Sequence, residues 1–194
     1  MISPSARNKA FKLSNKITPQ LDLNNHLPFR IAVVSNLLAL NRDWKIRELC
    51  DLEPREMRVL LNIGSYMPIK AADIAYQSRI DSYNVSRAVK ALQKKNLIDI
   101  QPDEHSRNIK YLVLNEQGIK LYHQVTQAMN ERADELESVL DDEECTLFYR
   151  MLEKIEEKAE KILAEQAMSK VTDGAEPPAD QKELIRWYKK STGK

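Results

Sequence analysis

The sequence predicts a mainly α-helical protein with one small two-stranded β wing and long helices toward its C-terminal end. Apolar residues recur at steps of three and four along most of the chain, which is the period of an amphipathic helix. The period changes to two only within residues 97–114, as in a strand pair. The chain has only four glycines, too few for a sandwich of many tight turns or a glycine-rich phosphate loop.

Composition limits the class of protein. The 194 residues are 42% hydrophobic and 30% charged, ordinary values for one globular domain or for a small lobe joined to a helical dimerisation part. No apolar run approaches the ~20 residues that cross a bilayer, and the N-terminus lacks the apolar core of a signal peptide. We therefore expect a cytoplasmic protein without a membrane partner.

The residues most often used in catalysis and metal binding are few and scattered. Cys50 and Cys145 have no second Cys or His at ligand spacing, and both lie among apolar residues, where an inert thiol is the common case. His26, His105 and His123 accompany no nucleophile elbow, metal spacing or phosphate loop. The sequence predicts no enzyme, no catalytic residue, no cofactor and no metal site.

Charge is unevenly distributed although the formal net charge is only +1. Residues 1–30 carry five basic side chains against one acidic, and residues 69–114 carry eight against five. Residues 130–168 are rich in acid, including the run at 141–144. A basic lobe beside an acidic helical part permits polyanion binding through one face, without establishing it.

The helical pattern begins after residues 1–26, which we interpret as a basic, mobile arm. A first helix follows from Leu27, and a second is expected near Pro54 and ends around Gly64, with Pro68 blocking continuation. The apolar face of the first helix comprises Ile31, Val34, Leu37, Leu38 and Leu40.

Two short helices in close succession are predicted next. Ala71, Ile74 and Ala75 mark the first, and the second has its apolar side at three- and four-residue steps. Asp81 or Ser82 can cap the second helix. At its far end Asn96 tolerates the left-handed backbone that closes a helix. The buried face of the second helix is predicted to be Val85, Ala88, Val89 and Leu92.

Residues 97–100 and 109–114 then alternate as two strands, joined by a polar loop over 101–108. Asn115 is placed to cap a long helix, and the acidic pair Asp141-Asp142 to start another. Residues 169–194 are interpreted as a disordered tail because 171–180 is rich in Asp, Gly and Pro, with a short amphipathic turn over 184–190 as the alternative for that part. The apolar stripes of the two long helices comprise Leu121, Val125, Met129, Leu136 and Leu140, and then Phe148, Met151, Leu152, Ile155, Ala159 and Ile162.

Helix, tight turn, helix and two-stranded hairpin, in that order, make a winged helix-turn-helix. We therefore divide the chain into the arm, a winged-helix domain over 27–168 and the tail. Within the domain, the DNA-binding lobe is expected at 54–114 and the dimerisation helices at 27–48 and 115–168.

The ordered set of residues from about 28 to 165 resembles the MarR family of bacterial regulators. In the wing, this sequence has Ser106 and Asn108 where the family usually has Asp-x-Arg, and Asn96 replaces a common glycine. The resemblance rests on Leu52, Pro54, Met57, Arg58, Val59 and Leu60, on Ala72, Ile74 and Ala75, on Val85 to Val89 with Leu92, on Leu97-Ile98, and on Leu114-Asn115-Glu116-Gln117-Gly118.

The outward face of the second short helix supplies candidate DNA contacts, because a recognition helix presents its N-terminal residues to base edges. Ser82 and Ser86 suit phosphates, and Asn84 and Arg87 suit bases. A solvated helix face is the alternative, and solubility is the alternative for the wing. The candidates are Ser82, Tyr83, Asn84, Ser86, Arg87 and Lys90 on the helix, with His105, Arg107 and Asn108 in the wing.

The resemblance implies a homodimeric repressor on a palindromic operator, with recognition helices about 34–36 Å apart, released by a small-molecule effector. Arg30 and Ser35 are candidates for binding that effector, and the resemblance suggests an aromatic carboxylate. An intrachain helical bundle is the alternative to dimerisation by the apolar stripes. Two alternative functions are a winged-helix protein-interaction module without specific DNA binding, and a cysteine-based redox-responsive repressor.

Overall fold

The computed structural model describes residues 12–103, 106 and 109–193. Within these residues, eight α-helices and a two-stranded antiparallel sheet confirm the predicted fold class. No described helix is both long and apolar enough to span a membrane. The elements are α1 (Leu27–Leu38), α2 (Trp44–Leu49), α3 (Pro54–Tyr66), α4 (Ala71–Ser78), α5 (Ser82–Lys94), β1 (Ile98–Pro102), β2 (Lys110–Leu114), α6 (Glu116–Glu137), α7 (Asp142–Thr172) and α8 (Ala179–Thr192).

The starts of α5 and α6 are fixed by side-chain caps, as the sequence predicted. Asp81 Oδ1 accepts from the backbone N–H of Asn84 at 2.8 Å, at the start of α5. Asn115 Oδ1 does the same for Gly118 at 3.0 Å, at the start of α6. Each cap satisfies one of the N–H groups that a helix leaves without an intrahelical partner. Asn96 has φ 55, the predicted left-handed backbone just after α5.

One hydrophobic core lies between α3, α4, α5, the hairpin and the first half of α6. The sheet register pairs Ile98 with Leu114 and Ile100 with Leu112. Ile98, Leu112 and Leu114 belong to the core, whereas Ile100 is 36% exposed. This core holds the helix-turn-helix rigidly on the lobe. Its largest fully buried side chains include Leu60, Ile63, Ile74, Val85, Leu92 and Val125.

Gly118 lies where α6 passes closest to the hairpin. A Cβ atom at this position would lie 2.0 Å from the carbonyl oxygen of Leu97 and 3.3 Å from Cβ of Leu114. Only a residue without a Cβ fits so near a backbone oxygen. In the Leu114-Asn115-x-x-Gly118 pattern, Asn115 therefore caps α6 and Gly118 allows α6 to approach the start of β1 closely.

Many large apolar side chains outside the lobe remain exposed to solvent. The predicted stripe on α6 divides in two, because Val125 is fully buried whereas Leu136 is 47% exposed. At the corner between α6 and α7, Val139 is 80% exposed. The exposed apolar residues of α1 and α7 include Ile31, Val34, Leu37, Leu38, Phe148, Met151 and Leu152.

The prediction that residues 169–194 are disordered is wrong. α7 continues to Thr172, Gly174 adopts φ +86, and the chain then forms α8. The residues interpreted as a disorder signal are a helix–helix turn, in which Gly and Pro end one helix and start the next. α8 packs along α7, where Ala164 and Ala167 are buried and small enough to allow close approach. The short helix α2, at Trp44–Leu49, was not predicted.

Candidate nucleic-acid interface

The surface around α4 and α5 carries most of the predicted DNA contacts. The two helices are joined by three residues, and Arg79 turns the chain with φ 51. The four residues predicted to face inward from α5 are all buried, from 0% exposed at Val85 and Leu92 to 8% at Val89. The opposite side of α5 consequently faces solvent.

Tyr83, Ser86, Arg87 and Lys90 lie on that exposed side of α5. Tyr83 is 70% exposed, and its ring centre is 5.8 Å from the guanidinium carbon of Arg87. A cation held against an aromatic ring loses less freedom when it binds an anion. This face can therefore present a partly oriented guanidinium, a ring and an ammonium group to a partner.

Asn84 is half-buried and is held by Asp81. Its side-chain amide donates to Asp81 Oδ2 at 2.5 Å, in addition to the backbone cap. Both hydrogen bonds lower the pKa of Asp81, and the one from the Asn84 side chain has the larger effect. Asp81 thus takes one of the two amide N–H groups of Asn84 and leaves the other, with Oδ1, for a partner; the sequence analysis did not anticipate this contact.

Ser82 opens α5, but a residue of the C-terminal helix occupies its hydrogen-bonding groups. The backbone N–H of Ser82 donates to both carboxylate oxygens of Glu183, at 3.2 and 3.1 Å, and its hydroxyl donates to Glu183 Oε1. Glu183 is 6% exposed, although it is charged. Sequence reasoning missed this residue because it lies 101 positions away, in a segment interpreted as disordered.

The wing is described only in part. β1 and β2 form its stem, where Lys70 Nζ lies 5.3 Å from the centre of the Tyr111 ring. Ser106 is half-buried. The three predicted minor-groove residues, His105, Arg107 and Asn108, lie outside the described residues.

A second candidate site is an apolar cleft of about 580 Å³ between α1 and α7. Arg30 and Ser35, the two predicted effector residues, both line it. Arg58 of α3 also lines the cleft, and the sequence analysis had used this residue only as part of a motif. The cleft thus joins two guanidinium groups and a hydroxyl to apolar walls. The apolar lining includes Leu27, Ile31, Val34, Phe148, Met151 and Ile155.

The cysteines and acidic residues show no feature of a reactive or metal-binding site. Burial raises the pKa of Cys50. Burial, followed by the carboxylates of Glu137 and Asp142, raises the pKa of Cys145. A raised pKa reduces the thiolate fraction and with it reactivity. Among the described residues, no group of His, Cys, Asp and Glu is arranged to hold a metal ion.

Comparison with known proteins finds a family match over part of the chain. Residues 51–107 match a family model described as the MarR family. Curated protein sequences give no significant match.

Solved structures with the same fold span most of the chain. A MarR/EmrR family transcriptional regulator from Acinetobacter sp. ADP1 is 21% identical, with a TM-score of 0.67 over 73% of this chain and 99% of that one. S. aureus MepR, solved in complex with DNA, is 22% identical, with a TM-score of 0.60 over 67% of this chain and 96% of that one. The PcaV transcriptional regulator from Streptomyces coelicolor, solved with its natural ligand, is 14% identical, with a TM-score of 0.61 over 72% and 97%.

Residues 51–107 thus match the MarR family in sequence, and most of the chain shares the fold of the winged helix-turn-helix regulators solved from that family.

Proposed function

We propose that the protein is a homodimeric repressor that binds a palindromic operator through α5 and releases it when a small molecule enters the α1–α7 cleft. The exposed side of α5 is the observation that carries this proposal. It combines Tyr83, Arg87 and Lys90 on a helix whose other side is fixed in the core. MepR, which has the same fold, was solved bound to DNA.

On this proposal, Arg87 reads a base edge, because its guanidinium can donate two parallel hydrogen bonds to guanine. Ser86 and Lys90 contact phosphates and position the helix. Asn84 contributes through Oδ1 and the amide N–H that Asp81 does not take. Ser82 contributes only if Glu183 leaves it.

Selection of random duplex DNA with the purified protein tests the operator. We expect enrichment of a palindrome with half-sites about one helical turn apart. Arg87→Ala should weaken binding to the selected duplex by about 1–3 kcal/mol, which is roughly 10- to 100-fold. Arg47→Ala is the control, because Arg47 lies beside Trp44 on α2, away from α5. Selection of no sequence by a folded protein would favour a protein-interaction module instead.

Dimerisation is supported by the apolar side chains exposed on α1 and at the α6–α7 corner, which a single copy leaves uncovered. Val139 is the most exposed of these, at 80%. Val139→Glu should shift the protein toward monomer in analytical ultracentrifugation, because a carboxylate in an apolar interface loses hydration without gaining a partner. Val171→Glu makes the same change near the end of α7 and should leave the mass unchanged. Monomeric wild-type protein would refute the dimer.

The effector is proposed to be an aromatic carboxylate. A guanidinium pairs well with a carboxylate, and the cleft has two of them beside apolar walls. A panel of phenolic carboxylates and their thioesters, measured by titration calorimetry, should yield a ligand that also releases DNA. Arg30→Ala and Arg58→Ala should each weaken its binding, whereas Arg42→Ala, outside the cleft lining, should not. A panel without effect on DNA binding would remove this class.

A further inference from the structure

The C-terminal helix α8 is bound to both helices of the helix-turn-helix. Lys190 Nζ lies 2.9 Å from Asp73 Oδ1 of α4 and 4.5 Å from the centre of the Tyr76 ring. Trp187 packs against the lobe, with its ring 5.8 Å from the guanidinium of Arg79. α8 therefore lies against α4 and the turn that leads into α5, the helix that the proposed function assigns to DNA.

Arg79 joins this contact to α7. Its guanidinium lies 3.1 Å from Glu160 Oε2 and 3.5 Å from Glu156 Oε1, both on α7, and 4.5 Å from the Tyr76 ring. Because Arg79 forms the turn between α4 and α5, the hairpin of α7 and α8 holds the helix-turn-helix at its turn.

Glu183 occupies the start of α5. The N-terminus of a helix carries partial positive charge and free N–H groups, so it attracts anions, including phosphate oxygens of DNA. Glu183 supplies a carboxylate to those donors, taking the backbone N–H and the hydroxyl of Ser82. The carboxylate is itself buried, at 6% exposure, although Ser82 lies at the surface, so it is Glu183 that occupies these donors. A phosphate and Glu183 would have to bind these groups in turn.

We propose that α8 is an autoinhibitory latch, in which Glu183 holds the phosphate-binding groups of Ser82 until DNA displaces it. This inference rests on the proposed binding of DNA by α5. It adds that the operator competes with a segment of the protein's own chain.

The latch is held mostly by polar contacts, which makes it displaceable. Glu183 is the one residue of α8 that is buried. The Lys190–Asp73 pair is about half exposed, and exposed ion pairs contribute little and weaken as salt rises. The turn between α7 and α8 contains Gly174 and two prolines, and can act as a hinge for the release of α8.

Substitutions in the full chain test the latch. Glu183→Gln removes the charge but keeps the shape, and Asp180→Asn removes one charge from the exposed first turn of the same helix. Affinity is measured for a random-sequence duplex and for the selected operator at one salt concentration. We expect Glu183→Gln to bind both duplexes roughly 10-fold more tightly than Asp180→Asn, because a latch closed about nine-tenths of the time reduces apparent affinity by that factor.

A second measurement follows the latch itself. In a Trp44→Phe background, Trp187 is the only tryptophan, and its emission should shift to longer wavelength when a saturating duplex releases α8. Equal affinity of Glu183→Gln and Asp180→Asn, weaker binding by Glu183→Gln, or unchanged Trp187 emission on saturation would each overturn the latch. Loss of the helical circular dichroism signal would identify a variant that fails to fold. In that case the Trp187 emission measurement decides.

Arg87→Ala separates this inference from the proposed function. If Arg87→Ala weakens binding but Glu183→Gln matches Asp180→Asn, α5 binds DNA and the latch is wrong. If Arg87→Ala has no effect while Glu183→Gln still tightens binding, the latch stands and base reading by α5 is wrong.

Discussion

Gly118→Ala should destabilise the protein even though alanine is the better helix former. The new Cβ atom would lie 2.0 Å from the Leu97 carbonyl oxygen, more than 1 Å inside ordinary contact. That oxygen cannot simply retreat, because it accepts a hydrogen bond from the backbone N–H of Asn115 at 3.2 Å. Either β1 or the start of α6 must therefore move.

The expected cost follows from three contributions. Overpacking of a tight site costs up to about 3 kcal/mol, and disturbing the Asn115 cap costs about 1 kcal/mol. Replacing glycine by alanine in a helix returns about 1 kcal/mol. The net loss is about 3 kcal/mol, a large part of the stability of a small domain.

Urea unfolding followed by circular dichroism at a fixed protein concentration measures this loss. Gly64→Ala is the matched control. Its Cβ would lie 2.3 Å from a ring atom of Tyr122, a side chain that can rotate, so the loss should be smaller. A Gly118→Ala protein as stable as wild type, or more stable than Gly64→Ala, would refute the close approach of α6 to β1.

Three further predictions concern single side chains. Asp81→Ala should cost about 1 kcal/mol at neutral pH. Because folding lowers the pKa of Asp81, this stabilisation is complete above the ordinary aspartate pKa and is lost as pH falls through the lower folded value, so the two proteins should converge in acid unfolding. Asn96→Gly should equal or exceed the wild-type free energy of unfolding, because Asn96 has φ 55, a backbone angle that glycine adopts freely. Asn96→Ala should lose about 1 kcal/mol in the same urea assay. Equal stability of the two variants would contradict this. Burial raises the pKa of Cys50, so this thiol should react slowly with iodoacetamide at pH 7. Peroxide should leave DNA binding unchanged. Release of DNA by peroxide that Cys50→Ser abolishes would restore the redox-responsive alternative.

The features that the sequence predicted well depend on local physics. Asp81, Asn115 and Asn96 act within a few residues of themselves, as caps or a left-handed turn, and spacing alone reveals them. The inward side of α5 followed from its period for the same reason.

The features that the sequence missed are contacts between distant segments. Nothing near Ser82 in sequence indicates Glu183, and nothing near Arg30 indicates that Arg58 lines the same cleft. Residues 169–194 were misinterpreted because Gly and Pro occur both in disordered segments and in turns between helices. Only the packing of α8 on α7 distinguishes the two cases. The side-chain hydrogen bond between Asn84 and Asp81 is local in sequence but was also missed, because Asp81 was considered only as a helix cap and Asn84 only as a base contact.

The length of α7 gives the molecule a mechanical connection. At 1.5 Å per residue, its 31 residues make a rod of about 45 Å. Ile155 faces the α1–α7 cleft, and the next residue, Glu156, pairs with Arg79 at the turn before α5. A ligand that tilted this rod by ~5° at the α6 corner would displace Glu160, about 27 Å along it, by roughly 2 Å. A movement of that size is enough to break the ion pair between Glu160 and Arg79. α7 therefore connects the cleft mechanically with the turn before α5.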